Sequence, residues 1–183
     1  MEPDMTSMHP SPDLRSELFA RLSELRIETR TVPYPAHRTV EEGKALRGAM
    51  AGQFTKNLLL KDKKGRLFMI VVDEDRTIDL RRLHAYIGAQ GRLGFAAAEQ
   101  MRDILLVEPG ALTPLSLLHD GQCQVTPIID ASLMIADQLN FHPLINTEST
   151  GIAPDALIHF IASCGHTPRI VDFDAMAIAD ASL

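Results

Sequence analysis

Lys56 is hard to place on structural grounds alone. It lies in Phe54-Thr55-Lys56-Asn57, after Gly52 and just ahead of the apolar run Leu58-Leu59-Leu60. A lysine in a pocket wall can hold a carbonyl or a phosphate as a point charge. It serves as a base only where burial lowers its pKa well below ~10.4. The plain alternative is a surface lysine lying along apolar neighbours. A second candidate is the segment Val107-Glu108-Pro109-Gly110-Ala111-Leu112-Thr113-Pro114. Gly110 lacks a Cβ, so its loop can present backbone N–H groups to a closely approaching oxyanion, and Pro114 would stiffen it. The plain alternative is a Pro-Gly turn of type II. A third is Phe141-His142-Pro143-Leu144-Ile145-Asn146-Thr147. His142 stands in a rigid setting before proline. It can orient water or line a pocket, or be a hydrogen-bonded core residue.

Other chemistries find less support. Ser116 and Ser132 have no Gly-x-Ser-x-Gly context, which disfavours a serine hydrolase. Cys164-Gly165-His166, with His159 and Cys123, suggests zinc. A zinc site needs three or four ligands at recognisable spacing, and no CxxC accompanies these residues. No metal and no cofactor are expected. Neither a dinucleotide-type glycine turn nor a phosphate loop is present.

Length and charge bound the rest. A chain of 183 residues, 45% hydrophobic and 23% charged, fits one soluble domain with a substantial core. Residues 1–12 are expected to be a flexible lead-in rather than a signal peptide, and residues 13–183 a single domain. Two cysteines and no long apolar run point to a cytoplasmic protein, with no membrane partner. A net charge of −6 disfavours a DNA-groove binder. A local basic patch for a few nucleotides would need Lys44, Arg47, Lys56, Lys61, Arg81 and Arg82 to be gathered by the fold.

These residues need elements to position them. Ser11-Pro12 opens a helix whose Leu14, Leu18, Leu22 and Leu25 form a buried stripe. Ile27 to Tyr34 is expected as a strand. Thr39 to Glu42 is a capping box for a helix ending near Arg47. Residues 54–72 form a β-hairpin turning at Asp62-Lys63-Lys64-Gly65. Asp79 caps a helix to Ile87, and Ala96 to Met101 forms another. Strands are expected at 104–107, 124–129, 140–142, 144–147 and 169–172. A short helix starts at Asp130, and a longer one runs from Pro154 to Cys164. The interleaving predicts an α+β fold with one mixed sheet covered by helices.

The order Thr55-Lys56-Asn57-Leu58, Asp62-Lys63-Lys64-Gly65, Gly110-x-x-x-Pro114 and Phe141-His142-Pro143-Leu144-x-Asn146-Thr147 resembles the YbaK-like, prolyl-tRNA-synthetase-associated editing domains. The likeness runs from about Thr39 to Phe173. It is greatest to the free-standing branch that removes alanine mischarged onto tRNA for proline. Two positions depart from the pattern: Phe54, where many relatives carry a polar residue, and Leu59, in place of a frequent aromatic. The resemblance implies a twisted, partly closed sheet with peripheral helices, and a single aminoacyl-tRNA editing domain. It also implies hydrolysis of an aminoacyl ester, with mischarged tRNA bound by its acceptor end and prolyl-tRNA synthetase as a possible associate. Lys56 and Gly110 would be catalytic. Asn57, Leu112, Pro114, His142, Asn146 and Thr147 would bind substrate. The water-activating base would be the substrate's own ribose hydroxyl. Removal of cysteine or serine, or a non-catalytic tRNA- or protein-binding module, are the alternatives.

Overall fold

The computed structural model describes residues 12–35, 40–47 and 50–178. The expected lead-in, the Ser11 cap, the Thr39 capping residue and the Gly48 stop lie outside them. The described elements are α1 (Pro12–Glu24), β1 (Arg30–Pro33), α2 (Val40–Arg47), β2 (Gln53–Lys61), β3 (Leu67–Asp73), α3 (Leu80–Ile87), β4 (Gly94–Phe95), α4 (Ala98–Gln100), β5 (Val125–Asp130), β6 (Leu139–Phe141), β7 (Glu148–Ile152), α5 (Pro154–Ser163), β8 (Arg169–Val171) and α6 (Phe173–Ile178). Short 3₁₀ turns occupy Pro114–His119 and Ala131–Ile135.

The sheet has eight strands in the order β1-β7-β6-β2-β3-β5-β8, with β4 added to the edge of β2 away from β3. The α+β class with a mixed sheet is therefore as expected. β3 is buried from Leu67 to Val72, as a central strand covered on both faces should be. Alternation splits the core in two. Leu59, Met69, Val71 and Ile129 face α1 and α5 through Leu18, Leu22, Leu157 and Phe160. Leu60, Ile70, Val72 and Ile128 face α3 and α6 through Leu83, Ile87 and Phe173. Asp79 caps α3 by accepting from the Arg81 N–H, and Gly88 ends it at φ 68°.

Three expectations are corrected. Residues 104–107 are not a strand: Met101–Leu105 is a π-helical turn closed by Leu106 at φ 54°. A continuous apolar run does not distinguish a buried strand from a buried helical turn. The expected strand at 144–147 is a turn, and the strand follows it as β7. Ile27 to Tyr34 contributes only the four residues of β1, because Leu25 and Arg26 still close α1 through backbone bonds to Arg21 and Ser23.

Candidate functional site

β2 and β6 are parallel, but they pair only at Gln53↔Leu139 and Phe54↔Asn140. Gly52 makes that short junction possible. It sits at φ +96°, and a Cβ there would lie 2.6 Å from Asn140 Nδ2. Asn140 Nδ2 and Gln138 Nε2 both donate to the Ala51 carbonyl, at 2.9 and 3.0 Å, and pin the start of β2. Beyond Asn140 the strands part. A cavity of about 50 Å³ opens between them, lined by Tyr34, Arg47, Thr55, Asn57, His142 and Ser149 among others.

Asn57 faces this cavity side of the sheet, in phase with Leu59. Its Nδ2 donates to the Leu112 carbonyl at 2.9 Å, which ties β2 to the 108–113 loop. Its Oδ1 is buried with no partner among the described residues. His142 is fixed by the chain on both sides, with Phe141 buried and Pro143 following. Its Nδ1 lies 3.0 Å from the Glu148 carbonyl and 3.2 Å from the Tyr34 hydroxyl. The Tyr34 hydroxyl donates to the same Glu148 carbonyl at 3.2 Å. A carbonyl only accepts, so a His142 bond to it requires the proton on Nδ1, which makes Nε2 the lone-pair nitrogen of the neutral ring. Burial pushes the Tyr34 phenol up to about 12, and the neighbouring Arg47 opposes the shift. Tyr34 therefore remains a protonated donor at neutral pH.

The 142–148 turn is clasped onto Tyr34, whose N–H donates to the Thr147 carbonyl at 2.9 Å. On the far side of Tyr34 lies an open groove of about 520 Å³, lined by Arg15, Pro33, Ile145, Thr147 and Glu148. Arg15 closes onto Glu148 at 2.6 Å. On the other flank, Arg47 donates to Glu74 at 2.8 Å and stacks 3.9 Å above the Phe54 ring.

The sequence candidates are thus distributed. Asn57 and His142 meet in the cavity, although 85 positions separate Thr55 from Asn140, whose carbonyl its hydroxyl bonds nearby. Leu112 supports Asn57 through its carbonyl. Thr147 lines the neighbouring groove. Pro114 is buried at the start of a 3₁₀ turn. Asn146 is half-buried in the 142–148 turn and lines neither space. Gly110 is exposed at φ +91°, and the Ala111 N–H bonds the Glu108 carbonyl at 3.0 Å, so Pro109-Gly110 forms a type II turn outside the cavity. Lys56 points to the opposite face, in phase with Leu58 and Leu60. Its ammonium donates to the Arg76 carbonyl and has no carboxylate at ion-pair distance among the described residues. Arg76 bridges buried Asp130 at 2.6 Å and Asp174 at 2.8 Å.

Sequence reasoning missed Tyr34, Thr55 and Ser149 as pocket residues. Only the Tyr34 position, between Pro33 and Pro35, offered a signal. The fold gathers part of the expected patch: Lys44, Arg47 and Lys56 all act on the Asp75 carboxylate, while Lys61 lies at the far end of β2. Lys44 is engaged by Asp75 at 2.6 Å, Arg47 by Glu74, and Arg81 by Asp79. His159 is exposed on α5, Cys123 is exposed, and the buried His166 bonds the Val125 carbonyl through Nδ1 at 3.1 Å. Among the described residues no three His, Cys, Asp or Glu side chains are grouped to hold a metal. No helix among them is long and apolar enough to cross a membrane.

The mixed eight-stranded sheet flanked by helices is shared with solved YbaK-like editing-domain structures. The structure matches that of a candidate trans-editing enzyme for prolyl tRNA synthetase with a TM-score of 0.65, over 88% of this chain and 98% of that one. At 21% identity that likeness is one of fold. The chain belongs to the aminoacyl-tRNA editing domain family, whose model matches residues 34–160. It is 38% identical to the prolyl-tRNA synthetase associated domain-containing protein 1 of Danio rerio, over 88% of this chain and 89% of the relative. The Mus musculus protein of the same name is 36% identical, over 88% and 98%. The prolyl-tRNA editing protein ProX of Acetoanaerobium sticklandii is 27% identical, over 87% and 98%.

Proposed function

We propose that this chain acts in trans to hydrolyse the ester of mischarged tRNA for proline, with alanine as the residue removed. The observation that carries the reading is the narrow cavity where β2 leaves β6, at about 50 Å³, with Asn57 and His142 in its wall. Alanine is smaller than proline, so a synthetase pocket built for proline admits it, and a second, smaller sieve must admit and hydrolyse it while excluding proline. A cavity of this size suits a methyl group. A pyrrolidine ring would have to displace packed side chains.

In this reading the ester enters with the amino acid in the cavity and the terminal ribose outside. Asn57 Oδ1 accepts from the substrate, offsetting part of the ~1–3 kcal/mol that an unpaired buried acceptor costs. His142 and Tyr34 shape and orient the opposite wall. Lys56, half-buried on the opposite face of β2 with its ammonium on the Arg76 carbonyl and Asp75 in its field, adds positive potential across the strand as the carbonyl oxygen gains charge. Water adds to the carbonyl carbon, the acyl–oxygen bond breaks, and the ribose oxygen leaves with a proton. The neighbouring ribose hydroxyl relays that proton, so no protein triad is required. The Leu112 carbonyl fixes Asn57, and the Gly110 turn sets the position of that carbonyl.

The test is the ratio of deacylation rates for alanyl-, seryl-, cysteinyl- and prolyl-tRNA on one proline tRNA body. Fast alanine release with proline spared is expected, and serine should be partly tolerated, because an added hydroxyl is poorly rejected by size. Fast cysteine release with inert alanine would reassign the substrate. Rapid loss of proline would remove the editing role, since such an enzyme destroys correct product.

A further inference from the structure

The far end of β2 carries a feature that the cavity does not use. Lys61, Lys63, Lys64 and Arg66 surround the β2–β3 turn. The fold adds Arg92, because Lys63 packs its methylenes against Gly91: a Cβ there would lie 2.8 Å from Lys63 Cδ. The Lys63 N–H also donates to the Gln90 carbonyl at 3.1 Å. Five cations thus meet one carboxylate, Asp62, which is buried and bonded to Arg66 at 2.8 Å. Lys61, Lys63, Lys64 and Arg92 have no carboxylate partner among the described residues. This concentration stands out in a chain of net charge −6.

An aromatic ring accompanies the charge. Phe95 is 65% exposed, on the two-residue strand that pairs Leu60↔Phe95 and Lys61↔Gly94. β4 lies on the same edge of β2 that pairs with β6 at the other end. The cavity and the basic tip therefore share one edge of one strand. From Asn57 to the turn is about 15–20 Å at ~3.3 Å per residue. That equals about five stacked nucleotide steps of one strand at ~3.4 Å each.

We infer that the β2–β3 tip, with Lys63, Lys64 and Arg92 on phosphates and Phe95 under a base, is the docking surface for the single-stranded 3′ end of the RNA whose terminal ester occupies the cavity. The inference rests on the tRNA reading above. Clustered cations with an exposed aromatic are what sequence-tolerant binding of single-stranded nucleic acid requires: charge along the backbone and a face for stacking. Such a surface holds the acceptor end by its shape and charge and leaves amino-acid choice to the cavity.

The experiment measures binding of uncharged proline tRNA transcript by fluorescence anisotropy across a potassium chloride series. Beside it runs hydrolysis of a minimal substrate, the alanyl ester of adenosine, which is too short to reach the tip. Lys63→Gln/Lys64→Gln/Arg92→Gln should lower the log–log salt slope by about two, at ~0.7 per single-strand phosphate. Phe95→Ala should weaken binding about tenfold with the slope unchanged. Both variants should hydrolyse the minimal ester at the wild-type rate. Lys63 packs on Gly91, so Lys64→Gln/Arg92→Gln is the fallback if the triple variant fails to fold, with an expected slope change of about 1.4. Wild-type affinity and slope in folded variants would overturn the docking surface, and persisting hydrolysis of alanyl-tRNA would leave the editing reading standing. A folded wild type that binds the transcript through the tip but hydrolyses no aminoacyl ester would overturn the editing reading and keep the surface.

Discussion

β2 is one strand with two contrasting ends. At its far end the buried carboxylate is fully bonded, beneath the exposed cations of the tip. β3 covers one edge and β4 the other, and the Asp62 carboxylate gathers the N–H groups of Lys64, Arg66 and Gln90 at 2.9 to 3.0 Å, with the Arg66 side chain besides. At its start the strand leaves β6 after two paired residues, and the Asn57 Oδ1 is buried unpaired. Both ends belong to the same hairpin and both bury a polar side chain. The satisfied end behaves, toward the cavity, as scaffold that holds the exposed cations of the tip in place. The unsatisfied end is where a ligand has something to gain, because a buried acceptor without a partner is an unmet cost of folding.

The sharpest way to break this contrast is Lys56→Ala. The side chain adds one backbone hydrogen bond and little apolar packing, so the melting temperature should hardly move. Deacylation should fall by about 10²–10³-fold or more, as when a preorganised electrostatic group is removed. Lys56→Arg should not restore it, because a planar fork does not replace a compact ammonium. Near-normal turnover in either variant would confine the chemistry to the Asn57 face.

Arg76→Ala probes the support beneath Lys56. It leaves the buried Asp130 carboxylate without its 2.6 Å partner. Breaking a buried pair in this way costs about 3–5 kcal/mol, and urea unfolding should show it. A loss below 1 kcal/mol would mean that Asp130 is held by its bond from the Ser132 N–H alone.

Asn57→Ala should divide differently. Activity should fall about tenfold or more, while stability drops by about 1 kcal/mol as the Leu112 carbonyl loses its donor. The small stability term follows from the Oδ1 that was already unpaired. A stability loss well above 2 kcal/mol with unchanged kcat/KM would make Asn57 a structural clamp and return the start of β2 to scaffold.

The far end was largely legible in the sequence, and the cavity was not. Asp62-Lys63-Lys64-Gly65 encodes its own turn, with Gly65 at φ +81°, and the apolar runs on either side could only pair with each other. The Asp79 cap and the Gly88 stop of α3 are likewise local chemistry. β7 was misplaced because Glu148-Ser149-Thr150-Gly151-Ile152 has no apolar alternation. Ser149 and Thr150 are buried by pairing with β1 and β6, and Thr150 Oγ1 bonds Thr31 Oγ1 at 2.8 Å. The cavity itself depends on where two strands stop pairing. Tyr34, more than a hundred residues from His142, enters it only because the 142–148 turn folds back over it. No local pattern records that event. Asn57 and His142, named from their family motif, line the cavity, and Gly110, named in the same way, lies on an exposed turn outside it.

The smallest effect is expected at Asp62, and it tests the satisfied end on its own terms. Burial raises the Asp62 pKa, but the converging bonds from Gln90, Arg66 and Lys64 outweigh it and hold the carboxyl at about 2. The unfolded chain carries this group near ~3.9. The folded state thus binds the proton more weakly, and the stabilisation is full above about pH 4 and fades as the pH falls toward 2. Asp62→Asn keeps one acceptor but turns an amide N–H toward a donor, so the variant should melt below the wild type at neutral pH. That gap should stay constant down to about pH 4 and narrow below it. Hydrolysis of the minimal alanyl ester should be unchanged throughout, since nothing at this end touches the cavity. A gap that persists unchanged to pH 2 would show that packing, not the bonded carboxylate, sets the turn. A loss of hydrolysis would couple the two ends through β2, and the division of the strand into scaffold and site would fail.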